Sequence, residues 1–189
     1  TKGRTRWLTA QEWTKLRKHL PGYLEEMALF TLATGLRMSN VLELEWGQVD
    51  MGRAVAWIHP DQAKAGKPIG VPLNNDALAV LKARQGKHKR WVFAHHETGE
   101  PLYKASNRAW RDARDAAKLP DIRWHDLRHT WASWAVMSGV RLDELREMGG
   151  WATHSMVQRY AHLSPEHLAT AAAKVKPVSI KPPRKRKAA

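Results

Sequence analysis

No cysteine occurs in the 189 residues, which excludes a disulfide framework, a thiolate nucleophile and any cysteine-bound zinc. No apolar run approaches the roughly 20 residues a membrane span requires, and no signal-peptide pattern is visible. A soluble intracellular protein without a membrane partner is therefore expected. The first residue is Thr rather than Met, which leaves room for an upstream part. Acidic residues are scarce: 18 Asp and Glu stand against 32 Lys and Arg, a formal charge of +14. Tyrosine is scarce too, with three copies, whereas tryptophan occurs ten times and supplies large anchors for a core or an interface.

The basic excess is not confined to one end. Residues 177–189 carry Lys181, Arg184, Lys185, Arg186 and Lys187 with no acid, and removing them leaves a body at +9. Such a body favours a polyanion through counterion release and steering. A merely solvated cationic face is the plainer explanation, and charge alone does not separate DNA from RNA. The other proportions are ordinary for one globular domain, expected over 1–176, with the basic tail of 177–189 disordered.

Thr9-Ala-Gln-Glu12 is a capping-box pattern, so a helix is predicted to about Leu20, where Pro21-Gly22 breaks it. Leu24, Met27, Ala28 and Thr31 repeat at helical spacing and predict a buried helix ending near Gly35. A short helix is expected over 39–45. The period then changes. Residues 54–58 and 69–73 alternate like strands around a turn-rich loop carrying Lys64 and Lys67, and 48–50 supplies a third strand. Further helices are predicted from Asn74 or Asn75 to 83, then over 105–118, 126–138, 141–148, 154–162 and 165–175, with 91–93 extended. The expected class is α+β, mainly α: a helical domain with a small three-stranded antiparallel sheet.

Phosphodiester chemistry without a metal needs cations for the nonbridging oxygens, a nucleophile and a proton donor for the leaving oxygen. Arginine suits the first task because its planar fork matches phosphate and stays charged. In His125-Asp-Leu-Arg-His129, helical spacing puts His125, Arg128 and His129 on one face, with Leu127 turned to the core. The same pair of histidines could hold zinc, but Asp126 replaces the Glu of HExxH and no third ligand follows. Arg37 follows a helix break in Thr34-Gly-Leu-Arg, where a turn can aim it outward. Lys64 or Lys67 on a hairpin could reach a groove and donate a proton. Each of these, taken alone, is equally an ordinary surface residue. Among the tyrosines, Tyr160 has Arg159 and His162 beside it, and neighbouring positive charge is expected to lower its pKa. Tyr23 on an apolar face and Tyr103 in a turn are better explained by packing.

Taken together, TGLR around Arg37, HDLRH at 125–129, and GGW with Tyr160 nine residues beyond Trp151 resemble the tyrosine recombinase signature, in that family's order. The similarity runs from about Leu8 to Leu168, and RWLTAQEW and QRYAHLSPEHL resemble phage-type integrases in particular. The resemblance implies site-specific recombination of double-stranded DNA in a bacterial cytoplasm or nucleoid, with no cofactor. It implies that Arg37 and Arg128 clamp the scissile phosphate, that His125 assists proton transfer, and that Trp151 donates from its indole. Lys64, with Lys67 as the alternative, is the implied general acid, and Tyr160 the nucleophile forming a 3′-phosphotyrosine. It also implies an N-terminal DNA-binding domain, to which nothing in these residues corresponds, and self-association through the C-terminal helix at 164–175. Asn40 departs from the pattern, since many members carry an acid three residues after the first arginine.

Other functions stay open at this point. A type IB topoisomerase shares the chemistry, although the flanking segments favour an integrase. A noncatalytic DNA-binding module would keep the basic face alone. A histidine-dependent metal hydrolase would draw on His125, His129 and His95, His96 or His154.

Overall fold

The computed structural model describes residues 5–63, 66–95, 97–102, 104–105, 107–164, 169 and 172–174. Thr9 opens the first helix, α1 (Ala10–Arg17), through the expected reciprocal cap: its Oγ1 accepts from Glu12 N at 3.1 Å, and Glu12 Oε2 accepts from Thr9 N at 2.8 Å. The apolar α2 (Gly22–Thr34) follows and is buried along most of its length. It stops at Gly35, whose φ of +67° is left-handed backbone. A Cβ there would lie 2.2 Å from the Trp131 ring, so only glycine permits this turn. The short α3 (Met38–Leu42) begins directly after Arg37.

The sheet comprises β1 (Val49–Asp50), β2 (Val55–Ile58) and β3 (Ile69–Pro72), antiparallel in the order β1-β2-β3. Ala56 faces Val71 and Trp57 faces Gly70. Ala56, Ile58, Ile69 and Val71 turn inward, as a two-residue period requires. Trp57 stays exposed and lies across Gly70, where a Cβ would meet its ring at 2.9 Å.

Helices complete the fold. α4 (Asn75–Arg84) is capped by Asn74, whose Oδ1 accepts from Ala77 N at 2.9 Å. α5 (Arg108–Ala116) is capped by Asn107, α6 is His125–Met137 and α7 is Leu142–Met148. The expected start near 105 therefore shifts to 108, because Asn107 takes the cap by accepting from Trp110 N at 3.0 Å. The helix predicted over 154–162 is instead two 3-10 segments, His154–Met156 and Gln158–Leu163. Val157, Tyr160 and Leu163 recur every third residue, and three residues per turn is the winding that stacks them on one side. Val157 and Tyr160 are both buried. The helix expected at 165–175 and the tail of 177–189 lie outside the described residues, as do Lys64, His96 and Tyr103.

Buried side chains fall into two clusters. The larger runs from Leu8 to Leu127 and joins α1–α5, the sheet and the start of α6. The smaller holds Trp131, Ala132, Val136, Leu145, Val157 and Tyr160, uniting the rest of α6 with α7 and the 3-10 turns. Among the described residues no helix is long and apolar enough to cross a membrane.

Candidate active site

At the seam between the clusters lies a cavity of about 280 Å³, and five of the six side chains singled out in the sequence line it: Arg37, His125, Arg128, Trp151 and Tyr160. His129, Met156 and Arg159 complete its walls.

Arg37 reaches this cavity because Gly35 reverses the chain and residue 37 takes extended backbone before α3. The side chain is half-buried, and that burial lowers its pKa from the ordinary value. Arg128 comes from the first turn of α6 and is 4% exposed. Its two terminal nitrogens donate to the carbonyls of Gly35 and Gly149, and its guanidinium lies 4.1 Å from the Trp151 ring centre. Burial, and secondarily Arg37, pushes its pKa down to about 9, with Tyr160 acting in the opposite sense. It still carries its proton at neutral pH. Among the described residues, no carboxylate is hydrogen-bonded to either of these two adjacent arginines, one of them nearly enclosed. That is a strong local demand for an anion.

Trp151 is positioned by the glycine pair before it. A Cβ on Gly149 would lie 2.1 Å from the Trp151 ring, and one on Gly150, at φ +60°, would lie 2.3 Å from Ile69. The indole stacks on Trp131 at 5.9 Å and 22°, so it is held as a wall of the cavity. His125 sits exposed at the start of α6 with its ring edge-on to His129 at 5.0 Å.

Tyr160 is 1% exposed. Its hydroxyl lies 2.6 Å from His129 Nδ1. Burial pushes the phenol up to about 12, while Arg159 and Arg128 pull it down. The expected lowering by positive neighbours is thus present but outweighed, because desolvation penalises the phenolate more. His129 is pushed down to about 4, first by burial and then by His125, Arg159 and Arg128. At pH 7 the tyrosine is therefore protonated and the histidine neutral.

Lys64 lies outside the described residues. Lys67 is exposed and lines a neighbouring cavity of about 700 Å³ that shares Trp151 with the first. Asn40 ties α3 to this hairpin: its Nδ2 donates to the Gln62 carbonyl at 2.9 Å, and Gln48 Nε2 donates to Gln62 Oε1 at 2.7 Å. An ionised carboxylate at position 40 has no proton to give that carbonyl, so this hairpin anchor needs the amide. Tyr23 packs on the larger core and its hydroxyl accepts from Asn107 Nδ2 at 3.2 Å, consistent with a structural role. Among the described residues no three His, Asp or Glu side chains gather as a metal site. The sequence places His129 on the cavity face beside His125, where its only expected part is that of a candidate metal ligand. Its spacing from His125 was the available signal.

A helical domain with a small antiparallel sheet, two arginines and a tyrosine around one anion-seeking cavity defines a class suited to phosphoryl transfer. The sequence profile of the phage integrase family matches residues 6–167, and the chain belongs to that family. It is 48% identical over 176 residues to the integrase of Salmonella phage P22, covering 87% of this chain and 46% of that protein. The chain thus spans about half the length of the curated relatives it matches. Among solved structures, the catalytic domain of bacteriophage HP1 integrase aligns with a TM-score of 0.65 at 25% identity, over 89% of this chain and 94% of that one. The Tn1549 transposon integrase, solved with a circular intermediate DNA, shares the fold with a TM-score of 0.75 at 16% identity, over 92% and 67% of the two chains.

Proposed function

We propose that residues 1–176 are the catalytic domain of a site-specific recombinase that cuts and rejoins double-stranded DNA, integrating or excising a phage or mobile element. The observation that carries this is the convergence of Arg37, His125, Arg128, Trp151 and Tyr160 on one cavity, although they span 124 positions of sequence. A scissile phosphate in that cavity answers the demand of the two arginines. Arg37 and Arg128 neutralise its nonbridging oxygens as charge builds in the transition state. His125 at the rim bonds the phosphate and assists proton transfer, and the Trp151 indole packs against Arg128 while its N–H serves an oxygen.

Tyr160 attacks phosphorus, forming an Oη–P bond as the P–O5′ bond breaks. The products are a 3′-phosphotyrosine and a 5′-hydroxyl. Lys64 supplies the proton to the leaving oxygen, with Lys67 as the substitute. Religation reverses the step with an incoming 5′-hydroxyl, so the phosphodiester energy is conserved in the protein linkage. Exchange between two duplexes requires breaks in both, hence at least two protomers assembled on DNA. The C-terminal helix at 164–175 is the segment assigned to that contact. Tyr160 is buried but already lines the cavity beside both arginines, so the phosphate seats against it there.

The test uses an end-labelled nicked duplex and a denaturing gel. Tyr160→Phe is expected to abolish the covalent protein–DNA product and to leave DNA affinity within about twofold, since the hydroxyl adds no charge at neutral pH. Equal covalent product from both proteins would remove Tyr160 from this role.

A further inference from the structure

We propose that His129 is a catalytic residue that receives the phenolic proton of Tyr160 through Nδ1 as the tyrosine oxygen attacks phosphorus. This rests on the assignment of Tyr160 as nucleophile and names the atom that accepts its proton, distinct from the part given to His125 at the rim.

Geometry comes first. A general base must lie within hydrogen-bonding distance of the proton it takes, and the 2.6 Å between Nδ1 and the Tyr160 hydroxyl meets that condition before substrate arrives. His125 is exposed at the start of α6 with its ring edge-on to that of His129, and the hydroxyl of Tyr160 meets His129. Both partners sit on rigid supports: His129 in the second turn of α6, and Tyr160 on the buried stripe with Val157. The groups facing His129 are His125 and Arg128 from α6, and Arg159 and Tyr160 from the 3-10 turn. Partial burial and three basic neighbours keep the ring neutral, and as the Nε2–H tautomer it offers its Nδ1 lone pair to the phenol.

The same surroundings explain why transfer waits for substrate. An imidazolium at this partly buried position beside Arg128 and Arg159 is disfavoured unless an anion offsets them. A phosphate clamped by Arg37 and Arg128 brings negative charge to that location, which grows as the fifth oxygen adds, and an adjacent anion favours the charged ring. Proton transfer is thereby coupled to attack. The balance is complete: Oη–P forms, P–O5′ breaks, the phenolic proton passes to His129 Nδ1, and the leaving oxygen is protonated by the separate general acid. In religation the imidazolium returns its proton to the departing phenolate.

Two measurements decide it. In the DNA-free protein, nitrogen-15 NMR of the histidines should show His129 as the Nε2–H tautomer with an unprotonated Nδ1 at pH 7. The Nδ1–H tautomer, donating to the tyrosine, would overturn the proposal. For cleavage, the wild-type protein first selects covalently trapped sequences from a pool of randomised nicked duplexes. The recovered duplex is then made with a bridging 5′-sulfur at the scissile position, whose departure needs no general acid. His129→Asn keeps an acceptor near Nδ1 but takes no proton. It should slow cleavage of oxygen and sulfur substrates alike by roughly 10²–10⁴-fold, with DNA affinity unchanged.

Wild-type cleavage rates from His129→Asn would reduce the contact to a positioning bond and sink the proposal, while Tyr160→Phe remained inactive. Faster cleavage by His129→Ala would mark the contact as a restraint on the tyrosine instead, which also overturns it. Covalent product from Tyr160→Phe, or none from the wild type, would refute the nucleophile assignment itself.

Discussion

At the scale of single residues, neutrality of His129 has a consequence for stability. Its folded pKa of about 4 lies below the ordinary 6.5, so between those values the unfolded chain binds the proton more readily. The contribution is fully present above pH 6.5 and is lost as pH falls toward 4. After allowance for partial exposure, the loss attributable to this ring is about 1–2 kcal/mol. Urea unfolding at pH 7.5 and pH 4.5 should therefore show a smaller drop in His129→Asn than in the wild type by that amount. Parallel pH slopes for the two proteins would mean that the ring is not held neutral. Asn40 acts at the same scale. Its amide is spent on the Gln62 carbonyl, a bond an ionised carboxylate could not make.

Among the elements, the two glycine bends matter most. Gly35→Ala combines a left-handed backbone with a Cβ driven into the Trp131 ring, and should cost about 2–4 kcal/mol in urea or thermal unfolding. Gly22→Ala, at the first position of α2 with nothing within 4 Å, should be neutral or stabilising by up to about 1 kcal/mol. Similar losses from both substitutions would deny the bend its steric basis. Much of this layout was legible beforehand. The Thr9 cap, the apolar face of α2 and the alternation in β2 and β3 depend on nearest neighbours, and local patterning reports them. The 3-10 turns were not legible as such. Residues 154–162 hold nothing that forbids an α-helix, and the tighter winding follows from burying Val157 and Tyr160 against Leu145 and Trp131, partners distant in sequence. The site shows the same division. Motif order singled out Arg37, His125, Arg128, Trp151 and Tyr160, which the fold gathers on one cavity, yet the sign of the Tyr160 shift depends on how deeply the ring is enclosed, and only three dimensions supply that.

For the molecule as a whole, charge would govern the proposed approach to DNA. A body at +9 with a tail adding five cations should bind duplex with log K falling steeply and linearly in log salt. Deleting residues 177–189 should make that slope shallower by at most about 4.5 while binding persists, as five phosphate contacts are the most the tail can provide. An unchanged slope in fluorescence anisotropy titrations from 50 to 300 mM salt would show that the tail leaves the backbone untouched. Binding lost altogether would place the affinity in the tail and not in the folded body.

The two carbonyls that hold Arg128 come from Gly35 and Gly149, the residues that shape the chain before Arg37 and before Trp151. A single guanidinium thus rivets together the approaches to both flanks of the cavity while leaving its remaining N–H groups for substrate. Lysine has the charge but cannot span both carbonyls along one rigid plane. Position 128 therefore ties the architecture of the cavity to the reactivity proposed for it, and a substitution there should disturb both together.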